Sequence, residues 1–479
     1  MNNHFENKKL IVPSKYVIDK RNNFYLFYDY QNHNWIILNE HGKEIIDLIS
    51  RGFSPNRITE KISIENNIKK EDAEKKFNSF IDYLQKVRFV FFDKYLQIEP
   101  SFSANKKSPL SCSVIFYRCN LNCIYCYNKI SRNKYEKSFK DMNTNEFIEA
   151  LNQLINFGVK RIMFSGGEPT LRDDLVKLAE FIKKKDETIY LALITNGTNI
   201  NTEKAKVFTK LFDLIWVSLD SYKKEEHEKL RGKGTYDKTV EAIKLLVKEK
   251  PELLLVNSLV SDYNYKSMEE TRRFVLKELE AHRFRMSVFQ PFRNIGENNR
   301  GIKINQPPFI VNENHNFKYS DLLSPIDIDN IQKENIDEAI NPIPPRVHCG
   351  VAHGEIALHS NGDIYPCQNL TDENFRCGNI LEEGIDNIYN KSPVMNECRN
   401  ATVHKIEICR DCEFKYICSG GCRAAAYEIY GDIYAHLKLF CSFNKRKALD
   451  RLWSSGFVPF EKIDKLKERY SNLQCKVGE

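Results

Sequence analysis

No stretch of about 18 uncharged apolar residues occurs in this chain, which excludes a membrane-spanning helix. The opening residues, Met1-Asn2-Asn3-His4-Phe5-Glu6-Asn7-Lys8-Lys9, lack the apolar core of a secretory signal. A marked excess of one charge is missing as well. The net charge of +7 is spread over a chain that is 29% charged, so nucleic-acid binding does not follow from it. The expected location is the cytoplasm. What is plentiful points elsewhere: 479 residues exceed one compact core, and 42% apolar content suffices for two or three globular domains. In the cytoplasm the 14 cysteines are poor disulfide candidates, and their tight clustering argues for metal.

The first cluster is Arg118-Cys119-Asn120-Leu121-Asn122-Cys123-Ile124-Tyr125-Cys126-Tyr127, with thiols in the order C-x3-C-x2-C. It directly follows Ser113-Val114-Ile115-Phe116-Tyr117, a β-branched and aromatic run that reads as a buried strand. The thiols therefore sit on the loop leaving a strand's carboxyl end. Three thiolates leave one iron of a cubane cluster without a protein ligand, and an open metal position is where chemistry is done. The bland alternative, a zinc knuckle, wants four ligands and usually two CxxC pairs.

This spacing, with the aromatic Tyr125 just before the third cysteine, resembles the radical S-adenosylmethionine (SAM) family. The resemblance implies a [4Fe–4S] cluster on Cys119, Cys123 and Cys126 whose open iron chelates the amino and carboxylate groups of SAM. It also implies a flavodoxin- or ferredoxin-type electron donor. Reductive cleavage then gives a 5′-deoxyadenosyl radical, which removes hydrogen from an inert carbon, with the protein positioning the partners.

Strand and helix patterns alternate beyond the cluster loop. Strands are expected at 161–164, 189–194, 214–219, 253–260 and 286–290, with helices between them that include one over 267–279. Repeated β-α units imply parallel strands, and about six units fall short of a closed eight-unit barrel. The resemblance implies an α/β fold over 108–295, a partial (β/α)6 TIM-like barrel with its site at the carboxyl ends of the strands. The motifs at those ends agree. Ser165-Gly166-Gly167-Glu168-Pro169 places two glycines, which let backbone approach a ligand, beside a carboxylate that can accept from an ammonium. By resemblance Glu168 and its glycines hold the methionyl amino group. Asn196, Ser218 and Asp220 contact the ribose and methionyl parts, and Arg231 meets the cofactor carboxylate. Each signal alone is an ordinary turn or strand end.

Residues 1–95 read as a separate small domain. Phe24–Tyr28 and Trp35–Leu38 form a hairpin turned at Gln31–Asn34. Asn39 caps a first helix, Pro55 opens a second, and a third carries Phe77, Phe80, Ile81 and Leu84. A hairpin followed by three helices is a winged-helix-like plan. It resembles the leader-recognition domain of enzymes that modify ribosomally made peptides, in which the leader adds a strand beside the hairpin. A DNA-binding role is the rival, but the third helix mixes Glu71, Asp72 and Glu74 with Lys75 and Lys76, a poor surface for phosphates. A purely structural role is the other alternative.

Residues 100–109 have linker composition, and 296–345 are irregular, rich in Asn and Pro, and read as a bridge. Cysteines return at 346–450, ahead of a C-terminal tail over 451–479. Cys349, Gly362 and Cys367, then Cys409, Cys412, Cys418, Cys422 and Cys441, give C-x12-G-x4-C, a gap, C-x2-C-x5-C-x3-C, a gap and C. This matches the SPASM extension, a Cys-rich domain that houses two auxiliary [4Fe–4S] clusters. A zinc ribbon on Cys409, Cys412, Cys418 and Cys422 leaves Cys349, Cys367 and Cys441 unexplained. By resemblance, Cys409, Cys412, Cys418 and Cys441 hold the distal cluster, and Cys349, Cys367 and Cys422 the nearer one. The nearer cluster's fourth ligand is open among Cys377, Cys398, His348 and none. Cys112 and Cys475 read as small buried hydrophobes.

Leader domain, radical core and auxiliary clusters together resemble the peptide maturases of bacteriocin biosynthesis, which join a cysteine sulfur to a carbon of a precursor peptide. Carbon–carbon crosslinking, terminal decarboxylation and the formylglycine chemistry of anaerobic sulfatase maturases share the architecture. A zinc-binding regulatory protein is the non-enzyme alternative.

Overall fold

The computed structural model describes residues 9–96, 111–126, 140–261, 263–288, 343 and 345–455. The expected linker, Tyr127, the end of the 286–290 strand, nearly all of the bridge, the tail past 455 and Cys475 lie outside the described residues. Among the described residues no helix is long and apolar enough to cross a membrane.

The N-terminal part holds β1 (Leu10–Ile11), β2 (Val17–Arg21), β3 (Phe24–Asp29), β4 (Asn34–Asn39) and β5 (Phe91–Phe92). β2, β3 and β4 form an antiparallel sheet in that order, while β1 pairs with β5. Three helices follow β4: α1 (Glu40–Ser50), α2 (Pro55–Glu65) and α3 (Lys70–Lys86). Asn39 caps α1 by accepting from Gly42 N at 2.9 Å, and Pro55 occupies the first turn of α2, where its missing N–H costs nothing. The strands carry continuous apolar runs because both faces of the sheet are covered. Side chains alternate with period two: Tyr25, Phe27, Ile36 and Leu38 face the helices. Leu26, Tyr28, Trp35 and Ile37 face the opposite way, onto Phe414, Ile417, Leu452 and Trp453 of the cysteine-rich part. Polar ties fix that contact: Trp453 Nε1 donates to Asp19 at 2.7 Å, and Arg21 to Asp450 at 2.5 Å.

The central sheet holds β6 (Ser111–Phe116), β7 (Arg161–Gly166), β8 (Tyr190–Thr195), β9 (Leu214–Ser218), β10 (Leu254–Val260) and β11 (Arg283–Val288). Consecutive strands are neighbours and all parallel, the six-strand partial barrel expected from the alternation. The crossovers run through α4 (Thr144–Phe157), α5 (Leu175–Lys185), α6 (Thr202–Leu211), α7 (Lys224–Arg231) and α8 (Tyr236–Glu249). The last crossover, expected as one helix over 267–279, is an α-helix over Met268–Arg273 that passes into a π-turn over Phe274–Glu278. Three further strands lengthen the sheet beyond β6. β12 (Glu355–His359) lies parallel to β6, and β13 (Asp363–Tyr365) and β14 (Gly378–Asn379) follow antiparallel. The cysteine-rich part is thus built onto the barrel's open edge, and one apolar core runs through both.

Candidate active site

The cluster loop leaves β6 at its carboxyl end, and it is gripped by three neighbours. Gly167 N donates to Phe116 O at 2.6 Å and Glu168 N to Arg118 O at 2.8 Å, so the end of β7 presses against the loop's entry. A Cβ on Gly167 would stand 2.2 Å from Arg118 O, and one on Gly166 2.3 Å from Phe116 O. The glycines are therefore required by the backbone of the cluster strand itself, whatever ligand they also admit. On the far side Ile124 N donates to Leu230 O at 3.0 Å, tying the loop to α7. The third grip is Asn196 past β8, whose Nδ2 donates to Asn120 Oδ1 at 3.0 Å.

Glu168 is buried and serves as the hub of the β7 and β8 ends. Its Oε1 accepts from Thr170 Oγ1 at 2.6 Å, Thr195 Oγ1 at 2.7 Å and Thr170 N at 3.2 Å; its Oε2 accepts from Asn196 N at 2.7 Å. Burial raises its carboxyl above the ordinary range, and these donors oppose the rise.

A second hub is Asp220, fully buried just past β9. It accepts from Arg231 Nε at 2.7 Å, from Arg231 Nη2 at 3.3 Å, from Leu259 N at 2.9 Å and from the Tyr125 hydroxyl at 2.5 Å. Burial alone would raise Asp220, but Arg231 outweighs it and holds the carboxyl below its usual value; Arg231 is raised in return. The guanidinium also lies over the Tyr125 ring, 5.5 Å from its centroid. Tyr125, Asp220 and Arg231 thus lock the loop between Cys123 and Cys126. Ser218, the last residue of β9, pairs with Asn257 of β10 and is half-buried.

Beside this hub, His227 Nδ1 accepts from Asp220 N at 3.2 Å, so its proton is on Nε2, which is buried without a partner. Burial pushes the imidazole down to about 4. A depressed folded value means the unfolded chain binds more protons between about 4 and about 6.5, so stability is full above that window and is lost as pH falls through it. The His227→Gln variant is expected to remove roughly 3 kcal/mol of acid sensitivity, read as a smaller fall in thermal midpoint between pH 7 and pH 4 than the parent shows. Equal falls in both proteins would refute the assignment.

Cys123 is pushed up to about 12 by burial, with Arg231 opposing, so the loop's thiol ionises only when a metal takes the proton's place. In the second field Cys412, Cys418 and Cys441 are neighbours of Cys409, and Cys349 and Cys422 are neighbours of Cys367. Of the nearby candidates for a further ligand, buried Cys398 acts on Cys349 and Cys377, while His348 is stacked on His353 at 3.8 Å. Cys112 is fully buried on β6. Among the described residues, no three His, Cys, Asp or Glu side chains are placed to hold a single metal ion.

Residues 113–275 match the radical SAM superfamily, and residues 349–413 match SPASM, an iron-sulfur cluster-binding domain. The chain carries a radical SAM domain followed by a SPASM domain. It is 26% identical over 324 residues to a cysteine-type anaerobic sulfatase-maturating enzyme of Clostridium novyi, covering 64% of this chain and 85% of that one. It is 25% identical over 347 residues to the antilisterial bacteriocin subtilosin biosynthesis protein AlbA of Bacillus subtilis, 70% of each chain. Its fold is similar to Streptococcus suis SuiB bound to precursor peptide SuiA, with a TM-score of 0.51 and 16% identity over 90% of this chain and 99% of that one. The radical SAM domain makes the chain an enzyme, and the two domains imply 4Fe–4S clusters and SAM binding.

The donor set at the core loop fits such a group: three thiols on the loop leaving the carboxyl end of β6, with Tyr125 between two of them held by the buried Asp220–Arg231 pair. Several residues of this site carry no local sequence signal. Thr170 and Thr195 are ordinary until Glu168 is seen to accept from them, and Asn264, which donates to Asp220 O at 2.6 Å, lies 44 positions downstream. His227 had one readable sign, its spacing of one helical turn before Arg231 on α7.

Proposed function

We propose that this enzyme matures a ribosomally made precursor peptide, joining a peptide cysteine sulfur to a carbon of an acceptor residue. The carbon's hydrogen goes to the 5′-deoxyadenosyl group, the thiol's is lost as a proton, and the remaining electron is taken up by an auxiliary cluster. The observation that carries the reading is the N-terminal sheet, seated by one face on the SPASM part and backed by three helices on the other. With both faces occupied, the sheet is left with its edges; among the described residues β2 and β4 each have a strand on one side only. An extended leader peptide suits such an edge, held through backbone hydrogen bonds. SuiB, similar in fold over most of this chain, has been seen bound to its precursor peptide SuiA, and AlbA is a bacteriocin biosynthesis protein. The sulfatase-maturating relative supports the same radical core acting on a protein cysteine; the N-terminal unit favours a leader-bearing peptide.

In this reading Cys119, Cys123 and Cys126 hold the core cluster, and the two thiol groups of the second field hold auxiliary ones. The chemistry supplied there, once cluster and SAM are bound, is one-electron cleavage that yields a hydrogen-abstracting 5′-deoxyadenosyl group. The chain's own residues position and exclude. Glu168 Oε2, which accepts one hydrogen bond within the chain, would take the cofactor ammonium. Asn196 and Ser218 would contact the ribose. Arg231, held by Asp220 against the loop, would supply a cation for the cofactor carboxylate. Reconstituted protein, dithionite, SAM and a co-encoded cysteine-containing peptide should give 5′-deoxyadenosine and a product lighter by two hydrogens. Loss of carbon dioxide instead, or no change of peptide mass while a sulfatase cysteine is converted to formylglycine, would replace the thioether reading.

A further inference from the structure

Arg423 has the largest side chain among those fully buried in the described structure. Its guanidinium donates to backbone carbonyls: Nη1 to Ile433 O at 2.8 Å and Ala435 O at 3.0 Å, Nη2 to Gly420 O, and Nε to Gly421 O at 3.4 Å. Among the described residues no carboxylate stands within ion-pair distance of it. The carbonyls are aimed by an unusual loop: Ser419, Gly420 and Gly421 have φ of +58°, +77° and +75° in succession. That conformation suits glycine, and a Cβ on Gly420 would stand 2.6 Å from Ile406 Cδ1. The sequence between Cys418 and Cys422 is thus spent on wrapping one cation.

A buried cation offered only neutral carbonyl partners is costly. Geometry places it between the two groups: Arg423 directly follows Cys422, and its guanidinium donates to Gly420 O and Gly421 O of the loop that joins Cys418 of one group to Cys422 of the other. The cost is offset once the sulfurs of those groups carry the negative charge of bound clusters. We propose that Arg423 is a shared counter-ion of the two auxiliary sites, favouring the reduced, more negative state of both and so holding both reduction potentials up. The inference rests on the ligand groups assigned under the proposed function. Net charge and burial around a cluster are among the protein's main means of setting its potential.

The test is a potentiometric titration followed by electron paramagnetic resonance on the full chain, after iron and sulfide analysis. Wild-type protein lacking a pair of auxiliary clusters would overturn the ligand assignment itself, before any variant is made. With the pair present, Arg423→Gln should lower both auxiliary potentials and leave the core cluster's unchanged, while Arg423→Lys, which keeps the charge, stays near wild type. Loss of both auxiliary clusters in Arg423→Gln, with retention in Arg423→Lys, supports the same role. Wild-type potentials in both variants, a shift of one auxiliary cluster alone, or equal cluster loss in both variants would overturn it, the last by showing that only the hydrogen-bonding fork matters.

Discussion

Gly167→Ala is expected to abolish SAM cleavage and to lower bound iron by one cluster. The added methyl would stand 2.2 Å from Arg118 O, 2.8 Å from Arg118 C and 2.9 Å from Tyr117 O, all backbone atoms without a rotamer to escape into. Overpacking a closed site costs about 1–3 kcal/mol and more where backbone must move, so relief has to come from displacing the chain just ahead of Cys119. That displacement also strains Gly167 N to Phe116 O and Glu168 N to Arg118 O, the two bonds joining β7 to the cluster loop. A shift of about 1 Å at a reacting centre costs on the order of 100-fold in rate, and here the shifted element is the loop proposed to hold the cluster. Gly354→Ala is the control: no atom lies within 4 Å of its added Cβ, and iron and 5′-deoxyadenosine formation should match wild type. A Gly167→Ala protein with full iron and a normal rate would show that the tight approach of β7 is not required.

The same residues mark how far local pattern reading reaches. The cysteine spacing and the Gly-Gly-Glu motif stand out in one dimension, and the parallel strands announce themselves as β-branched runs between amphipathic helices. What the glycines are for does not, because Arg118 O meets Gly167 only after β6 and β7 are paired. Helix α7, Lys-Glu-Glu-His-Glu-Lys-Leu-Arg, has a single aliphatic residue, so no apolar stripe betrays it; its buried face is His227, Leu230 and Arg231, selected for the site. Strand β2, with three charged residues of five, hides for the same reason. The junction of β12 with β6 joins residues more than 200 positions apart, a pairing that no local period encodes. The N-terminal strands were readable as strands, but their unbroken apolarity takes its meaning only from the second surface, Phe414 to Trp453, that covers them.

Asp220→Asn is expected to destabilise the folded protein by about 3–5 kcal/mol, the usual result of removing one partner from a buried ion pair. The substitution keeps shape and can still accept one hydrogen bond, so what it removes is charge. Arg231 is then a cation at 8% exposure with Cys123 and Tyr125 as its remaining neighbours, and Tyr125 loses the carboxylate that its hydroxyl meets. Because Tyr125 sits between Cys123 and Cys126, the loss reaches the cluster loop directly, and SAM cleavage should fall about 100-fold or more. The double variant Asp220→Asn/Arg231→Met separates stability from function. With no charge left uncompensated, its thermal midpoint should recover much of the loss, since replacing both members of a buried pair is often close to neutral. Its activity should stay low, because the cation facing the proposed cofactor carboxylate is gone. The folded carboxyl of Asp220 lies below its unfolded value, so the pair's contribution is complete above the ordinary aspartate range and is lost only as pH falls through the depressed value. In acid, the parent and Asp220→Asn should therefore converge in stability. Single and double variants of equal midpoint at neutral pH would mean that an unpaired Arg231 carries no cost, and that the loop takes its shape from Ile124 and Asn120 instead.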